Sequence, residues 1–215
     1  MTEPNSAARP VVLRQPWRSM LLGALGFTGV SLAAFAVWAW GGGWFQGRGG
    51  EPAMYAAIAA VFLLLGGPLL QFLVHGPRRW IRFHQVFTLA FLAYSVVWSG
   101  CWFTLGFGWG EWLGALLGCL ALVTVTSWYF QSWDRWTMAV VVFFALHTAG
   151  YFAGGRAMYQ LWEWSRMVPV PPPFDPSQWR TLAKLSWGLF YGLGFGAGLG
   201  YVLESRQPHR HGFPQ

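Results

Sequence analysis

The chain has 215 residues, of which 55% are hydrophobic, 19% are aromatic and only 10% are charged, with a net charge of +7. Because a soluble domain carries about 25% charged residues to keep its surface solvated, this composition excludes a water-soluble globule and indicates a protein solvated largely by lipid. The basic residues form short clusters between apolar runs, a pattern typical of charges that set membrane topology, and this excludes nucleic acid as a partner.

The N-terminal part of the chain begins with a polar segment, residues 1–15, which we expect in the cytoplasm. The apolar run at 17–40 follows it. This run is longer than the apolar region of a signal peptide, which has about 7–15 residues, and no small-residue cleavage pattern follows it. We therefore predict a retained first membrane span at 17–40 and a glycine-rich loop that begins at Gly41, Gly42 and Gly43.

Five further runs reach the length of about 20 mainly apolar residues that a spanning helix needs. They lie at 52–74, 81–105, 111–130, 134–162 and 176–204. The predicted fold class is therefore an all-α, polytopic transmembrane helix bundle of about six spans that occupies residues 16–205. Within the second span, the sequence Gly66-Gly67-Pro68 predicts a kink, because proline removes a backbone donor and crowds the preceding turn.

The longest connection, residues 166–175, is dominated by proline, which favours extended chain and excludes a helix. Asp175 followed by Pro176 predicts the start of the last helix. A carboxylate can accept hydrogen bonds from the first turn, and proline fits the first helical position. We expect this proline-rich loop outside the cell, where it could dock a partner protein, and we expect residues 206–215 to form a cytoplasmic tail.

Basic residues predict the orientation of the bundle. With the N-terminus inside, nine basic residues fall on the cytoplasmic side and five on the other, so both termini are predicted to be cytoplasmic. The cluster of Arg78, Arg79 and Arg82 is interpreted as a topology determinant. Binding of anionic lipid headgroups, at about 1 kcal/mol per charge, is the alternative.

The sixteen tryptophans are concentrated near the predicted span ends, as expected of indoles at the headgroup boundary. Trp98, Trp102 and Trp187 lie deeper. These three indicate either packing between helices or an aromatic ligand pocket.

A row of glycines at every fourth position runs along the last predicted helix: Gly188, Gly192, Gly196 and Gly200. Gly194 and Gly198 form a second, shorter row. Spacing of four aligns each row on one face, where missing side chains let another helix approach closely. The row predicts helix packing, within the chain or with another subunit. The alternative is a groove that admits a lipid tail, a quinone or a pigment.

His147, with Thr148 and Tyr151 nearby, is the main candidate for a functional residue in the fifth span. It is the only ionisable residue predicted well inside a span, and such residues are expensive in lipid and mark functional sites by default. Its possible roles are ligation of haem or chlorophyll, proton relay, or donation to a quinone carbonyl. A neutral imidazole bonded to a neighbouring helix is the structural alternative.

Haem ligation by two histidines requires imidazoles at one depth on facing helices. His75 and His84 lie at the cytoplasmic edge and His147 lies deeper, so these three are weak ligand candidates, and the sequence names no cofactor. Cys101 and Cys119 fall in consecutive predicted helices. They are interpreted as buried free thiols, with a disulfide as the alternative.

The sequence also bears on two other classes of function. An intramembrane serine protease would need Ser95, Ser99 or Ser127 beside His147, but none stands in a Gly-x-Ser-x-Gly context, and serine often bonds to its own helix. No metal or paired-carboxylate motif is present, so the sequence does not support an enzyme. A small-solute or lipid transporter is the second class, for which only His147 offers a mid-membrane ionisable group.

Taken together, these features predict a subunit of a bacterial inner membrane complex with an assembly or binding role. Its partners would be the lipid bilayer and other membrane subunits or a second copy of itself. The alternatives that stay open are the transporter and a haem-binding electron-transfer subunit.

Overall fold

A computed structural model describes residues 16–170 and 172–207 of the chain. The predicted N-terminal segment 1–15 and most of the predicted tail lie outside the described residues. All regular secondary structure in the described part is helical, in chain order: α1 Pro16–Gln46, α2 Gly50–Leu70 with a 3-10 turn at Gln71–Leu73, α3 Arg79–Leu105, α4 Trp109–Phe130, α5 Trp136–Trp164 and α6 Pro176–Arg206. The all-α fold class is confirmed.

Five of these helices, α1 to α5, are long and apolar enough to cross a bilayer, when the 3-10 turn is counted with α2. The chain is therefore a polytopic membrane protein. The sixth helix does not reach the same hydropathy, because it contains six glycines and the charged residues Arg180, Lys184, Glu204 and Arg206.

The prediction of a loop that starts at Gly41 is wrong, because α1 continues through Gly41, Gly42 and Gly43 to Gln46. A glycine costs about 1 kcal/mol relative to alanine inside a helix, which three residues in a long apolar helix can tolerate. The chain turns only at Gly49, where φ is 91°, a conformation that favours glycine.

Because Gly66 and Gly67 have no side chains, two rings of α3 pack directly against the backbone of α2. A Cβ on Gly66 would lie 2.7 Å from the ring of Phe87, and a Cβ on Gly67 would overlap the ring of His84. The helix continues past Pro68 to Leu70 and ends in the 3-10 turn. This pair therefore permits close contact between α2 and α3.

The start of α6 at Pro176 agrees with the sequence analysis. The Asp175 carboxylate accepts hydrogen bonds from the backbone N–H groups of Ser177 at 2.7 Å and Gln178 at 2.9 Å. The Gln178 side chain in turn accepts from the Asp175 N–H at 2.9 Å, which completes a capping box. Hydrogen bonds, above all from the Ser177 hydroxyl, lower the pKa of the Asp175 carboxyl below its usual value.

Both glycine rows of α6 are in contact with helices of the same chain. The row that starts at Gly188 faces α1: a Cβ would lie 2.9 Å from Phe35 at Gly188 and 2.7 Å from the Cα of Thr28 at Gly192. At Gly196 and Gly200 it would overlap backbone carbonyls of α1. The Ser31 hydroxyl also donates to the Gly188 carbonyl at 2.7 Å across this contact.

The second row faces α5, where Gly194 lies against Gly150, and Gly198 lies against Phe143. The helix α6 is thus enclosed between α1 and α5. Because protein rather than lipid covers most of it, α6 can be less apolar than the other helices. This explains why it falls outside the set of strongly apolar helices.

The C-terminal end of α6 is closed by a polar network, which we call the Arg206 end. Arg206 is only 1% exposed, and its guanidinium donates to the Ser132 carbonyl at 3.0 Å. Glu204 accepts from the Ser19 hydroxyl at 3.0 Å and lies 3.2 Å from the Nε2 of His75. Arg206 is one of the nine basic residues that the orientation prediction assigns to the cytoplasmic side, and its burial is a finding of the structure.

The tryptophans follow the predicted belt in part. Trp17, Trp40, Trp44 and Trp109 at helix ends are each more than half exposed. Trp179 differs, because it is 7% exposed and packs edge-on against Trp164 with ring centroids 5.0 Å apart. It therefore joins the protein interior rather than the headgroup region.

Candidate functional site

His147 lies in the centre of the bundle and is fully buried. Its Nε2 is 2.6 Å from the hydroxyl of Tyr94 on α3. The hydroxyl of Tyr191 on α6 donates to the same Tyr94 oxygen at 3.4 Å. A polar chain thus connects α5, α3 and α6 in an otherwise apolar core, and we call it the His147–Tyr94–Tyr191 chain.

The proton on the His147 ring can be assigned from its surroundings. The Nδ1 of His147 is buried and has no hydrogen-bond partner among the described residues. A buried N–H without an acceptor is rarer in proteins than an unsatisfied acceptor. We therefore assign the proton to Nε2, which makes His147 the donor and Tyr94 the acceptor. The proton of the Tyr94 hydroxyl is then directed away from both neighbours.

The other two candidates of the fifth span differ in their contacts. Tyr151 lies in a stacked orientation beside His147, with ring centroids 6.1 Å apart, and its hydroxyl donates to Glu111 on α4 at 3.1 Å. Thr148 is 8% exposed, and its hydroxyl has no partner among the described residues. Tyr151 therefore belongs to the neighbourhood of His147, whereas no contact connects the Thr148 hydroxyl to it.

A cavity of about 400 Å³, which we call the inner cavity, opens beside the His147–Tyr94–Tyr191 chain. Its wall comes from α1, α2, α3, α5 and α6 and includes thirteen aromatic residues among nineteen, all of them uncharged. Tyr94, Tyr151 and Tyr191 are part of the wall, as are the deep tryptophans Trp98, Trp102 and Trp187 that the sequence analysis singled out, and the two serines Ser95 and Ser99. The wall is therefore mainly aromatic, with a few hydroxyl-bearing side chains among its residues.

A second cavity of about 810 Å³, the outer cavity, adjoins the inner one through shared wall residues that include Tyr151 and Trp187. It lies at the end of the bundle opposite to the Arg206 end. Its wall also contains Glu111, Arg156 and Glu163. The outer cavity therefore has charged residues in its wall, whereas the wall of the inner cavity, closer to His147, is uncharged.

Two hydrogen-bond donors in the inner wall have no acceptor in the described protein. They are the indole N–H groups of Trp98 and Trp187, both buried. The ring of Tyr151 lies between them, with centroids 6.0 Å from Trp98 and 5.4 Å from Trp187. The Cδ1 atoms next to these N–H groups lie against Gly114 for Trp98 and against Gly154 for Trp187, so both N–H groups are sealed between helices rather than exposed to the cavity.

Trp38 was predicted near a span end but is part of the inner wall. The ammonium of Lys184 lies 5.2 Å from its ring centroid and donates to its backbone carbonyl at 3.2 Å. Sequence reasoning missed Trp38, Tyr94 and Tyr191 as site residues. The sequence signal that could have indicated the two tyrosines is their position within apolar runs, because a buried phenol hydroxyl needs a hydrogen-bond partner.

The three histidines have separate neighbourhoods. His75 contacts Glu204 at the Arg206 end. His84 lies 3.2 Å from the Trp80 carbonyl through Nδ1. His147 contacts Tyr94 and does not line the inner cavity. The three weak haem-ligand candidates thus have different hydrogen-bond neighbours.

The remaining candidates are placed as follows. Cys101 and Cys119 are both free. Cys101 lies beside Gly114, whereas Gly118, next to Cys119, faces Tyr94, so the two thiols sit at different depths and the disulfide alternative is wrong. Ser127 is buried and has no hydrogen-bond contact with His147.

The basic cluster lies at the Arg206 end. Arg78 and Arg79 are exposed, and Arg82 donates to the His75 carbonyl at 2.9 Å. Arg82 therefore helps to hold the segment between α2 and α3, in addition to its charge.

Comparison with models of known families finds no match, and neither the curated proteins nor the solved structures include one with significant similarity to this chain.

Proposed function

We propose that this membrane protein binds a small apolar molecule from the bilayer in its inner cavity. The observation that carries the proposal is the cavity itself, about 400 Å³ with a largely aromatic and uncharged wall. Ligand sites have volumes of about 300–1,000 Å³, apolar walls and a few placed polar groups. Here the polar side chains of the wall include Tyr94, Tyr191, Ser95 and Ser99.

A cavity-filling substitution tests this proposal. Ala59 of α2 lines the inner cavity, and Ala60 beside it is exposed on the same helix. We expect Ala59→Trp to remove bound small molecules that copurify with the wild-type protein in native mass spectrometry and extraction. Ala60→Trp is the control and should retain them. If the wild-type protein carries no such molecule, and no apolar probe binds better to it than to Ala59→Trp, the proposal is wrong.

The proposed topology is six spans with both termini in the cytoplasm. In support, Arg78, Arg79, Arg82, Arg135 and Arg206 lie at one end of the bundle, where Arg82 contacts the segment after α2 and Arg206 contacts the α4–α5 connection. Excess positive charge favours the cytoplasmic side.

Reporter fusions test this topology. Alkaline phosphatase, which is active only outside the cytoplasm, is expected to be active when fused after Val170 and inactive when fused after Asp134. Green fluorescent protein at the C-terminus should fluoresce, because it folds on the cytoplasmic side. A non-fluorescent C-terminal fusion with an active Val170 fusion would instead mean that α6 does not cross the membrane.

A role in a larger bacterial inner membrane complex is part of the proposal. The glycine rows no longer support it, because α1 and α5 of the same chain occupy both. Its remaining support is the proline-rich loop, in which Val168 is 97% exposed. Native purification with mass measurement tests this role, and a stable monomer without partners would contradict it.

Transport is the second candidate. It is favoured because the outer cavity, which adjoins the inner cavity, lies at one end of the bundle, whereas the polar network of the Arg206 end closes the opposite end. Alternating access would have to open that network. Uptake of the bound molecule into proteoliposomes that contain the wild-type protein, measured against protein-free liposomes, separates a transporter from a binding subunit. Uptake equal in the two preparations would contradict transport.

A further inference from the structure

We infer that the two adjoining cavities form one site for an anionic lipid, with its head group beside Arg156 in the outer cavity and an acyl chain in the inner cavity. This inference rests on the proposed function, that the inner cavity binds an apolar molecule, and it extends the site into the outer cavity. It is carried by the shape of the inner cavity, by its continuity with the outer cavity and by the position of Arg156.

The inner cavity is elongated along α3. Six residues on one face of this helix line it: Phe91, Tyr94, Ser95, Trp98, Ser99 and Trp102. From Phe91 to Trp102 the helix rises about 16 Å, and from Met54 to Phe62 the wall follows α2 over about 12 Å. The rings of Phe62 and Phe91, 5.1 Å apart, bound the deep end. A long, thin acyl chain matches this space better than a compact molecule does.

The inner cavity continues into the outer cavity. Phe107, Tyr151, Tyr159 and Trp187 are wall residues of both. Of these, Phe107 and Tyr159 are exposed and lie at the end of the bundle opposite to the Arg206 end. A chain that lies in the inner cavity therefore has its outer end among the wall residues of the outer cavity, where the charged side chains are.

Arg156 lies in the wall of the outer cavity, on the face of α5 that also presents Tyr159 and Gln160 to it. Twenty residues separate Arg156 from the start of α5 at Trp136. This is a rise of about 30 Å, the thickness of the hydrocarbon core of a bilayer. The guanidinium therefore lies at the depth of the lipid head groups, at the mouth of the two cavities.

The charged groups of the outer wall differ in their partners. The Glu163 carboxylate lies 3.6 Å from the guanidinium of Arg166. Glu111 accepts from the Tyr151 hydroxyl at 3.1 Å and also caps the first turn of its own helix. Arg156 makes no ion pair with any carboxylate of the described residues. Its guanidinium is therefore left for anionic oxygens, which it can bind through two parallel hydrogen bonds.

Membrane topology does not account for Arg156. The proposed topology places this end of the bundle outside the cytoplasm, whereas the positive-inside rule favours arginine at the opposite end. The inner cavity, in contrast, has no charged residue in its wall and would exclude a head group. The two cavities thus match the two parts of an anionic lipid.

The test measures lipid binding to the full chain in detergent by native mass spectrometry. The probes are lysophosphatidylglycerol, which is anionic, lysophosphatidylcholine with the same acyl chain, which is zwitterionic, and glycerol phosphate, which has no chain. We expect the wild type to bind the anionic lipid about 3- to 10-fold more tightly than the zwitterionic one, as for a charge-assisted hydrogen bond at a partly exposed site. Glycerol phosphate should bind more weakly than either lipid.

Arg156→Gln should remove the preference for the anionic lipid and leave the binding of the zwitterionic lipid unchanged. Arg48→Gln is the matched control, because Arg48 is an exposed arginine at the same end of the bundle and lies outside both cavities. This variant should keep the preference. Ala59→Trp, which fills the inner cavity, should weaken the binding of both lipids.

The outcomes separate this inference from the proposed function. Equal binding of the two lipids to the wild type, or an unchanged preference in Arg156→Gln, would overturn the anionic lipid and leave the binding function standing. Glycerol phosphate bound as tightly as the anionic lipid would also overturn it, because the chain would then contribute nothing. If neither lipid binds better to the wild type than to Ala59→Trp, the binding function and the lipid assignment fall together.

Discussion

Replacement of Gly196 by leucine is expected to destabilise the bundle by about 3 kcal/mol, the upper range for overpacking a close contact. A Cβ at this position would overlap the Gly23 carbonyl and lie 2.7 Å from the Cβ of Phe27. Because the obstacle is partly backbone, α1 and α6 would have to separate along the whole glycine row. Thermal unfolding in detergent, followed by circular dichroism, measures the change.

Gly100→Leu is the matched control for that substitution. Gly100 is also a glycine inside a long helix, but a Cβ there would have no neighbour within 4 Å. We expect its unfolding temperature to stay at the wild-type value or to rise slightly, since leucine is a better helix former than glycine. If Gly196→Leu and Gly100→Leu unfold alike, α6 does not pack against α1 through this row.

Loss of the Arg206 side chain is expected to have the second large effect, a destabilisation of about 3 kcal/mol for Arg206→Ala. The substitution leaves a cavity where a large side chain, 1% exposed, was packed, and it removes the donor to the Ser132 carbonyl. The α4–α5 connection would then lose its bond to the end of α6. The measurement is again the unfolding temperature in detergent.

Arg79→Ala is the control for Arg206→Ala, because Arg79 is an exposed arginine at the same end of the bundle. A topology charge contributes little to folding once the helices are inserted, so Arg79→Ala should change stability by less than about 0.5 kcal/mol. Similar unfolding of both variants would mean that Arg206 is also only a topology charge.

The sequence predicted the helices well where the signal is local. Apolar runs of spanning length correspond to α1 to α5, and Asp175 with Pro176 correctly predicted where α6 begins. The prediction of a loop from Gly41 places the end of α1 too early, because α1 continues to Gln46. A glycine is only a weak helix breaker, and the flanking apolar residues outweighed it in this helix.

The sequence indicated several residues of the candidate site but not the contacts between them. His147 was singled out because an ionisable residue in an apolar run is unusual, and the deep tryptophans because they were far from the span ends. Tyr94 and Tyr191 were missed, because their role arises from a contact between helices that are far apart in the chain. Nothing in the spacing of either tyrosine within its own helix marks that contact.

By itself, the sequence determined that this is an all-α membrane protein, where most of its helices lie, and which residue types stand out within them. These properties depend on hydropathy and capping, which are read along one segment. Only the tertiary structure decided which helix fills each glycine row, that Arg206 is buried, and that five helices surround an aromatic cavity next to His147. Those features depend on packing between segments, because a missing side chain or a buried donor acquires its meaning from the helix that lies opposite to it.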